Sequence, residues 1–275
     1  MQHRTRVVMA MLAAVLVSLT TPSSAAHASV AFADSQGVQI AFEVVGEGDP
    51  IVLIPGFSQS RQAWKDAGHV EALLARGRQV ILIDPRGHGD SDKPRDPSAY
   101  RPELLASDVV AVLDRLAIEQ ADLLGYSRGG AIAIAAAIAH PERLRRVIVG
   151  GAHPYAEDMT PFRRAIGPGL ENWIGTIERN VGPLPDSARA MFLANDPEAL
   201  RAAVAADRAD VSAELAESGV PVLFYVGERD PRAHDVRRFV ADFGGAFVEL
   251  PELNHFEAFF AIDPVVRPLS TGPSP

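Results

Sequence analysis

The fold of this 275-residue chain is decided by one stretch, Leu123-Leu124-Gly125-Tyr126-Ser127-Arg128-Gly129-Gly130. A predicted strand over residues 121–124 leads into Gly-Tyr-Ser-Arg-Gly, and a helix of small residues is predicted over 129–140. This is a G-x-S-x-G pattern, in which a tight strand-to-helix turn holds the serine hydroxyl out at the end of a sheet. Glycines flank Ser127 because such a turn brings two backbones so close that any Cβ atom would collide. The pattern alone is weak, and the elements on both sides decide its meaning.

Short apolar runs alternate with helical patterns along the chain. Continuous apolar runs at 51–54, 80–83 and 147–149 are typical of strands buried on both faces of a parallel sheet, and a run of alternating polarity at 37–44 predicts a half-buried strand. Helices are predicted between them, at about 61–75 and 102–116. This order predicts an α/β fold with a mostly parallel, doubly wound sheet. In such sheets ligands bind beyond the carboxyl ends of the strands.

The strand signal stops from about residue 154 to residue 218. Helical patterns recur in this segment and are broken by glycines and prolines, with the helices predicted at 161–166, 170–179, 187–193 and 197–217. The alternation then resumes with a strand at 220–226, a helix at 234–243 and a strand at 246–250. We interpret 154–218 as a helical cap inserted into one domain that spans 29–275.

The first 28 residues have the pattern of a secretory signal peptide. Arg4 and Arg6 form a basic start, residues 7–19 form a short apolar stretch, and Ala26-His27-Ala28 is a small-x-small cleavage site. Residues 31–33, Ala-Phe-Ala, are a second candidate site. The apolar stretch is short for a bilayer span, so we expect a secreted or periplasmic protein with no stable membrane insertion after cleavage, rather than one held by an uncleaved anchor.

Composition and charge narrow the function classes. The net charge is −9, and near −11 once residues 1–28 are removed, with no cluster of Lys and Arg to attract nucleic acid. The chain has no cysteine, which excludes both disulfides and lipidation at a cysteine. Nothing in the sequence indicates an oligomeric state. We expect a small-molecule substrate.

A serine nucleophile needs a histidine base, and the histidine needs an acid that fixes its tautomer. Of the eight histidines, His255 follows the last predicted strand on a loop at the expected edge of the sheet. Asp230 ends the turn 227–230 directly after a buried strand, where capping the next helix is its alternative role. The order Ser127, Asp230, His255 is the order in which α/β sheets with a nucleophile turn supply their triad. The competing acids are Glu228, Glu157 and Asp158.

An attacking serine also needs two backbone N–H donors for the oxyanion. The residue after the serine supplies one, which is Arg128 N–H. The loop after the strand at 51–54 supplies the other, most simply Phe57 N–H. For His88, in the turn Arg-Gly-His-Gly, a structural role is predicted.

These stretches together resemble the α/β-hydrolase superfamily, in its single-domain, helical-capped branch of esterases, lactonases and related serine hydrolases. The matching stretches, in chain order, are 54–57, 84–91, 125–130, 140–143, 227–230 and 254–256. The resemblance implies Ser127 as nucleophile, His255 as base, Asp230 as acid and no cofactor. It also implies acyl transfer rather than epoxide or haloalkane chemistry, because the latter relatives carry an aspartate where this chain has Ser127.

Two positions depart from the family pattern. Relatives usually carry His-Gly where this chain has Pro55-Gly56. Pro55 lacks an N–H, but the donor required is further along, so we expect the oxyanion hole to survive. Relatives often carry Met or Leu after the serine, where this chain has Arg128. A salt bridge behind the turn is the expected role for Arg128, and contact with an anionic substrate is the alternative.

We therefore predict a hydrolase of carboxylic ester, lactone or thioester bonds. The alternatives are an enzyme resembling proline iminopeptidase, for which Glu157, Asp158 and Glu171 would hold an amine, a perhydrolase, a carbon–carbon bond hydrolase, or a non-catalytic binding protein on the same fold. The predicted substrate pocket is formed by His153, at the start of the cap, together with Phe162 and Trp173, although at helical spacing the two aromatic residues also fit a simple core role.

Overall fold

The computed structural model of the protein describes residues 29–267 and 269. The predicted signal peptide, residues 1–28, lies outside the described residues and stays a prediction. Within the described part of the chain no helix is both long enough and apolar enough to cross a bilayer.

One sheet of eight strands organises the domain. The strands are β1 (Ala31–Ser35), β2 (Val38–Val45), β3 (Asp49–Ile54), β4 (Arg78–Ile83), β5 (Ala121–Tyr126), β6 (Leu144–Gly150), β7 (Val222–Gly227) and β8 (Ala246–Leu250). Their spatial order is β1-β2-β4-β3-β5-β6-β7-β8. β2 pairs antiparallel with β1 and β4, and every other pairing is parallel. The predicted fold class, a mostly parallel doubly wound sheet, is confirmed.

Helices connect the strands and cover both faces of the sheet. They are α1 (Gln62–Asp66), α2 (His69–Leu74), α3 (Pro102–Arg115), α4 (Arg128–Ala139), α5 (Thr160–Ile166), α6 (Leu170–Val181), α7 (Asp186–Leu193), α8 (Pro197–Ala203), α9 (Ser212–Glu217), α10 (Ala233–Phe243) and α11 (Asp263–Val266). Helices α5 to α9 fall between β6 and β7, where the cap insertion is predicted.

The core lies on the two faces of the sheet. The central strands β3, β4 and β5 are apolar and fully buried at nearly every position, as a sheet covered on both faces requires. One cluster of buried side chains lies between the sheet, α3, α4 and the cap, and a second lies on the face covered by α1, α2 and the C-terminal segment. Because the sheet is rigid and buried, the residues at the carboxyl ends of its strands are held in fixed positions.

Two predicted helices are interrupted, and one strand was not predicted. The helix predicted over 61–75 is interrupted at Gly68, which has φ +78°, and becomes α1 and α2. The helix predicted over 197–217 is interrupted between α8 and α9, where Arg208 instead forms a β-bridge with Glu157. The sequence reading also missed strand β1. The second candidate cleavage site, residues 31–33, lies inside that strand, which pairs along its whole length with β2.

Candidate active site

Ser127 occupies a strained joint between β5 and α4. Its backbone has φ +55° and ψ −113°, a conformation that non-glycine residues rarely adopt and that costs on the order of 1–3 kcal/mol. A Cβ atom at Gly125 would lie 2.0 Å from the carbonyl oxygen of Gly129, and a Cβ atom at Gly129 would lie 2.0 Å from that of Ile54. The two glycines of the motif are therefore required by contact between backbones, as the sequence predicts.

The structure brings the three predicted triad residues together from three separate loops. His255 Nε2 lies 3.0 Å from Ser127 Oγ, and His255 Nδ1 lies 2.5 Å from Asp230 Oδ2. Ser127 follows β5, Asp230 follows β7, and His255 follows β8, so all three lie beyond the carboxyl ends of parallel strands. The histidine can take the serine proton on one nitrogen while the other donates to a carboxylate.

Asp230 is 2% exposed and is satisfied on both oxygens. Its second oxygen, Oδ1, accepts the Arg232 backbone N–H at 3.0 Å. Because Arg232 is the N-cap residue of α10 and that cap has no side-chain hydrogen bond, Asp230 does not cap the helix, which was its alternative role. Burial alone would raise the pKa of Asp230, but the hydrogen bond from His255 and the charges of His255 and Arg232 outweigh burial and lower it. The carboxylate is therefore ionised at neutral pH, as an acid that orients a histidine must be.

The competing acids have other partners. Glu228 accepts the backbone N–H of Glu252 at 3.0 Å, and Asp158 accepts that of Thr160 at 2.7 Å. Glu157 forms ion pairs with two arginines of the cap and the β7–α10 turn, described below. Among the described carboxylates, Asp230 is the one that contacts His255.

Two residues that the sequence reading missed fix the histidine. The Tyr126 hydroxyl donates a hydrogen bond to the His255 backbone carbonyl, and the two rings lie 5.3 Å apart. Gly151 has φ +55°, and a Cβ atom there would lie 2.9 Å from His255 Cε1, so only glycine leaves room for the imidazole. The available sequence signals were the tyrosine inside the G-x-S-x-G motif and the Gly150-Gly151 pair at the end of β6.

The two predicted oxyanion donors lie on segments that meet at the serine. Arg128 is the first residue of α4, so its N–H has no carbonyl to bond within the helix. Gly56 packs against the serine, since a Cβ atom at Gly56 would lie 3.7 Å from Ser127 Cβ, and Phe57 is the next residue. The positive end of the α4 dipole also favours negative charge at this point. Phe57 and Arg128 therefore remain the predicted donors.

The cap holds this oxyanion loop in place. The Phe57 ring packs edge-on against Phe162 at 5.8 Å and Trp173 at 5.2 Å between centroids. Trp173 Nε1 donates to Ser58 Oγ at 2.7 Å, and Asn195 Nδ2 donates to the Ser58 carbonyl at 3.0 Å. The predicted pocket residues Phe162 and Trp173 thus contact the loop that carries the donor, and Trp173 is buried.

His88 and His153, the two further histidines for which a role is predicted, have different surroundings. His88 is fully buried, with its ring 5.8 Å from that of Phe57. Burial lowers the pKa of His88 to about 3, with a smaller contribution from the positive charge of Arg128. His153, predicted to line the substrate pocket, lines a cavity beside α4 whose described lining includes Arg128 but not Ser127.

The expected salt bridge of Arg128 is absent from the described residues. The guanidinium is buried and donates from Nη1 to the Ala203 carbonyl at 2.8 Å, while Nε and Nη2 have no hydrogen-bond partner there. The interpretation of Arg128 as half of a salt bridge is therefore wrong. Sequence spacing could not have shown this, because the cap places no carboxylate against the side chain.

A half-buried charge network joins the cap to the triad. Glu157 binds Arg208 at 2.5 Å and Arg232 at 2.6 Å, and Arg232 lies 3.6 Å from Asp230 Oδ1. The sequence reading missed this network, and Arg232 two residues after Asp230 was its only local signal.

No group of three or more His, Asp or Glu side chains able to hold a metal ion occurs among residues 29–267.

Comparison with known proteins extends these observations. A family model described as alpha/beta hydrolase fold matches residues 49–202. Over 116 residues the chain is 41% identical to 2-hydroxymuconate semialdehyde hydrolase from Pseudomonas sp. (strain CF600), which covers 42% of this chain and 41% of that protein. The chain spans less than half the length of this and other first-ranked curated relatives.

Two solved structures match almost the whole domain. The enol-lactonase from Burkholderia xenovorans LB400 superposes with a TM-score of 0.71 at 25% identity, covering 87% of this chain and 96% of that one. A thermophilic esterase from Thermogutta terrifontis gives a TM-score of 0.72 at 25% identity, covering 88% and 97%.

Proposed function

The chain belongs to the α/β-hydrolase family, and on that basis we propose that it is a serine hydrolase of small-molecule carboxylic esters or lactones. The observation that carries the proposal is the unbroken hydrogen-bonded line from Ser127 Oγ through His255 to Asp230. A serine hydroxyl within 3.0 Å of an imidazole that is oriented by a carboxylate is the arrangement that acyl transfer requires.

In the proposed reaction Ser127 attacks the ester carbonyl while His255 Nε2 accepts its proton. Asp230 holds the imidazole in the tautomer that presents Nε2 and stabilises the imidazolium that forms. The developing oxyanion accepts hydrogen bonds from the N–H groups of Phe57 and Arg128 at the positive end of α4.

The second half of the reaction reverses these roles. His255 donates its proton to the leaving alcohol, which departs and leaves an acyl group on Ser127. A water molecule then gives a proton to His255 and attacks the acyl carbon, and the serine leaves with that proton. No cofactor takes part in the proposed cycle.

The comparisons support ester or lactone chemistry. Two of the solved structures that cover most of the domain are named as an enol-lactonase and an esterase. A second candidate substrate class comes from the relative with 41% identity, which is named as a semialdehyde hydrolase. That class corresponds to the alternative of carbon–carbon bond hydrolysis on the same triad.

The peptidase alternative lacks its amine-binding cluster. Each of the three carboxylates that would form it lies within salt-bridge distance of an arginine: Glu157 binds Arg208 and Arg232, Glu171 binds Arg189, and Asp158 lies 3.6 Å from Arg163. A substrate ammonium would have to displace these cations, so we favour the esterase over the peptidase.

Export belongs to the proposal as well. Cleavage after Ala28 leaves β1 intact, whereas cleavage after Ala33 would remove three residues from a strand that pairs with β2. We therefore expect the first residue of the mature protein to be Ser29, which N-terminal sequencing of the exported protein tests.

The activity is tested with p-nitrophenyl esters of increasing acyl length, using the mature protein beside Ser127→Ala. We expect turnover by the wild type and loss of nearly all of it in the variant, with the chain-length profile reporting the size of the acyl site. Ser107→Ala serves as a matched control, because it removes a partly exposed serine hydroxyl that bonds to the Glu103 carbonyl within α3 and leaves the nucleophile in place. Equal inactivity of folded wild type and Ser127→Ala on every ester would contradict the esterase proposal.

A further inference from the structure

A cavity of about 430 Å³ lies beside the triad, along helix α4. One wall is a single face of that helix, formed by Ala131, Ile134, Ala135 and Ile138. The other walls come from residues 97–105 and from the cap segments 153–159 and 202–211. The volume lies in the range of small-molecule sites, which is about 300–1,000 Å³, and the helix face is entirely apolar.

Arg128 supplies a buried charge to this cavity. Its residue is 6% exposed, and its guanidinium lies 5.8 Å from the centre of the Tyr100 ring, another lining residue. Nη1 donates to the Ala203 carbonyl, which leaves Nε and Nη2 as two adjacent donors with no partner in the described part of the chain. These two N–H groups form the edge of a guanidinium that binds a carboxylate in a bidentate manner.

In a second buried arginine of this protein, Arg86, the same Nε–Nη2 edge of the guanidinium binds a carboxylate. Arg86 is 2% exposed, donates from Nη1 to the Ala99 carbonyl at 2.8 Å, and uses Nε and Nη2 for the two oxygens of Asp108, at 2.8 and 2.5 Å. Arg128 reproduces this arrangement, including the carbonyl at 2.8 Å, apart from the carboxylate. The difference points to a carboxylate that does not belong to the described chain.

The electrostatics of the cavity favour an anion. Burial, with a smaller contribution from the nearby charge of Arg208, lowers the pKa of Arg128 to about 10, so the group is still protonated at neutral pH. A buried charge without a counter-ion is costly, and an anion bound to it removes that cost. Among the other charged lining residues, Asp207 binds Arg163 at 2.8 Å and Arg208 binds Glu157, while Arg101 and Glu103 are exposed to solvent.

We propose that this cavity binds a carboxylate-bearing small molecule with an apolar body, with the carboxylate on Nε and Nη2 of Arg128 and the body along α4. His153 also lines the cavity, and its buried Nδ1, which has no partner among residues 29–267, is available to a second polar atom of the ligand. The site stands on its own geometry and does not rest on the proposed hydrolytic activity.

Direct binding of matched probes tests the proposal. Titration calorimetry with octanoate, 1-octanol and acetate compares ligands that differ in charge or in apolar body. For the wild type we expect octanoate to bind at least tenfold more tightly than either other probe. Arg128→Met keeps an unbranched apolar stem but removes the guanidinium and its charge, and it should weaken octanoate by about ten- to a hundredfold.

Two further variants keep the test specific. Arg101→Met removes an exposed arginine at the rim of the cavity and should change octanoate affinity by less than about threefold. Ala135→Phe fills the apolar wall while leaving Arg128 in place, and it should weaken octanoate at least tenfold. This second variant also decides the question if Arg128→Met does not fold.

The outcomes separate clearly. Equal affinity for octanoate and octanol, octanoate binding that survives Arg128→Met, or octanoate binding that survives Ala135→Phe would each overturn the proposal. Binding that follows the expected pattern supports it, and the kinetics of ester hydrolysis then identify the source of the ligand. Competitive inhibition by octanoate indicates a substrate or product carboxylate, and non-competitive inhibition indicates a separate effector.

Discussion

Ser127 of the triad and Arg128 are consecutive residues, but the polar atoms of the triad and those of the Arg128 side chain are satisfied in different ways. Each triad side chain has a partner within the chain: serine to histidine, histidine to Asp230, and Asp230 to the Arg232 backbone. One residue further on, Arg128 is as deeply buried but has two donors without a partner in the described chain. The first region is complete without a ligand, whereas the second has the chemistry of a site that a ligand completes.

The largest effect is expected from a substitution within the triad. Asp230→Asn keeps the shape of the side chain but removes the charge that orients and stabilises the histidine, and we expect kcat to fall by about 10⁴-fold, as in other Ser-His-Asp enzymes. Glu228→Gln, in the same turn but bonded to Glu252 instead of His255, should stay within about twofold of the wild type. Steady-state hydrolysis of a p-nitrophenyl ester measures both. Asp230→Asn with a tenth or more of wild-type activity would contradict the assigned role.

The next prediction contrasts the two buried arginines. Asp108→Asn leaves Arg86 buried without its counter-charge and should lower the free energy of unfolding by about 3–5 kcal/mol. Arg128→Met removes a charge that already lacks a counter-charge in the chain, so the ligand-free variant should unfold at the same urea concentration as the wild type or at a higher one. Urea denaturation measures both changes. A similar loss of stability in both variants would mean that Arg128 has a partner within the protein.

A smaller effect concerns His88, whose ring packs against Phe57 of the oxyanion loop and whose pKa is lowered in part by the charge of Arg128. Its pKa is lowered to about 3 in the folded protein, mainly by burial, so the unfolded chain binds a proton that the folded chain does not. The contribution of His88 to the free energy of unfolding is therefore fully present above about pH 6.5. It falls as the pH is lowered toward 3, and the loss is about 2 kcal/mol at pH 5. Urea denaturation at pH 7 and pH 5 should show this loss, and His88→Gln should reduce it by that amount. An equal pH dependence in the variant would show that His88 is not buried as described.

The smallest effect concerns the link between the cap and the oxyanion loop. Trp173→Phe keeps an aromatic ring against Phe57 but removes the hydrogen bond to Ser58 Oγ. We expect a fall in kcat of about tenfold or less, with KM changed less, because a neutral hydrogen bond contributes about 0.5–1.5 kcal/mol. Thr176→Ala, on an exposed position of the same helix, is the control. An unchanged kcat in Trp173→Phe would show that the loop is held by other contacts.

The sequence predicted the parts of the site that depend on local pattern and chain order. The glycines around Ser127, the strand before Asp230 and the loop carrying His255 each follow from neighbouring residues, and a parallel sheet brings strand ends together. The contacts that were missed depend on where the cap lies. The pairing of Glu157 with Arg208 and Arg232 joins residues that are far apart in sequence.

Arg128 is the clearest example of a contact that depends on where the cap lies. A lone arginine after the serine suggested a salt bridge, because buried arginines are usually paired. Only the packing of α8 against the side chain shows that the cap offers a backbone carbonyl, from Ala203, instead of a carboxylate. Breaks in the predicted helices have a similar origin, since Gly68 and the bridge at Arg208 interrupt patterns whose periodicity alone suggested continuity.

The most direct test of the central claim, that Ser127 is an activated nucleophile, is labelling with a fluorophosphonate probe followed by mass spectrometry. We expect one label per folded chain, located on Ser127. This labelling should be lost in Ser127→Ala and strongly slowed in His255→Gln. Folded wild-type protein that takes up no label, or that carries it on another residue, would contradict the claim.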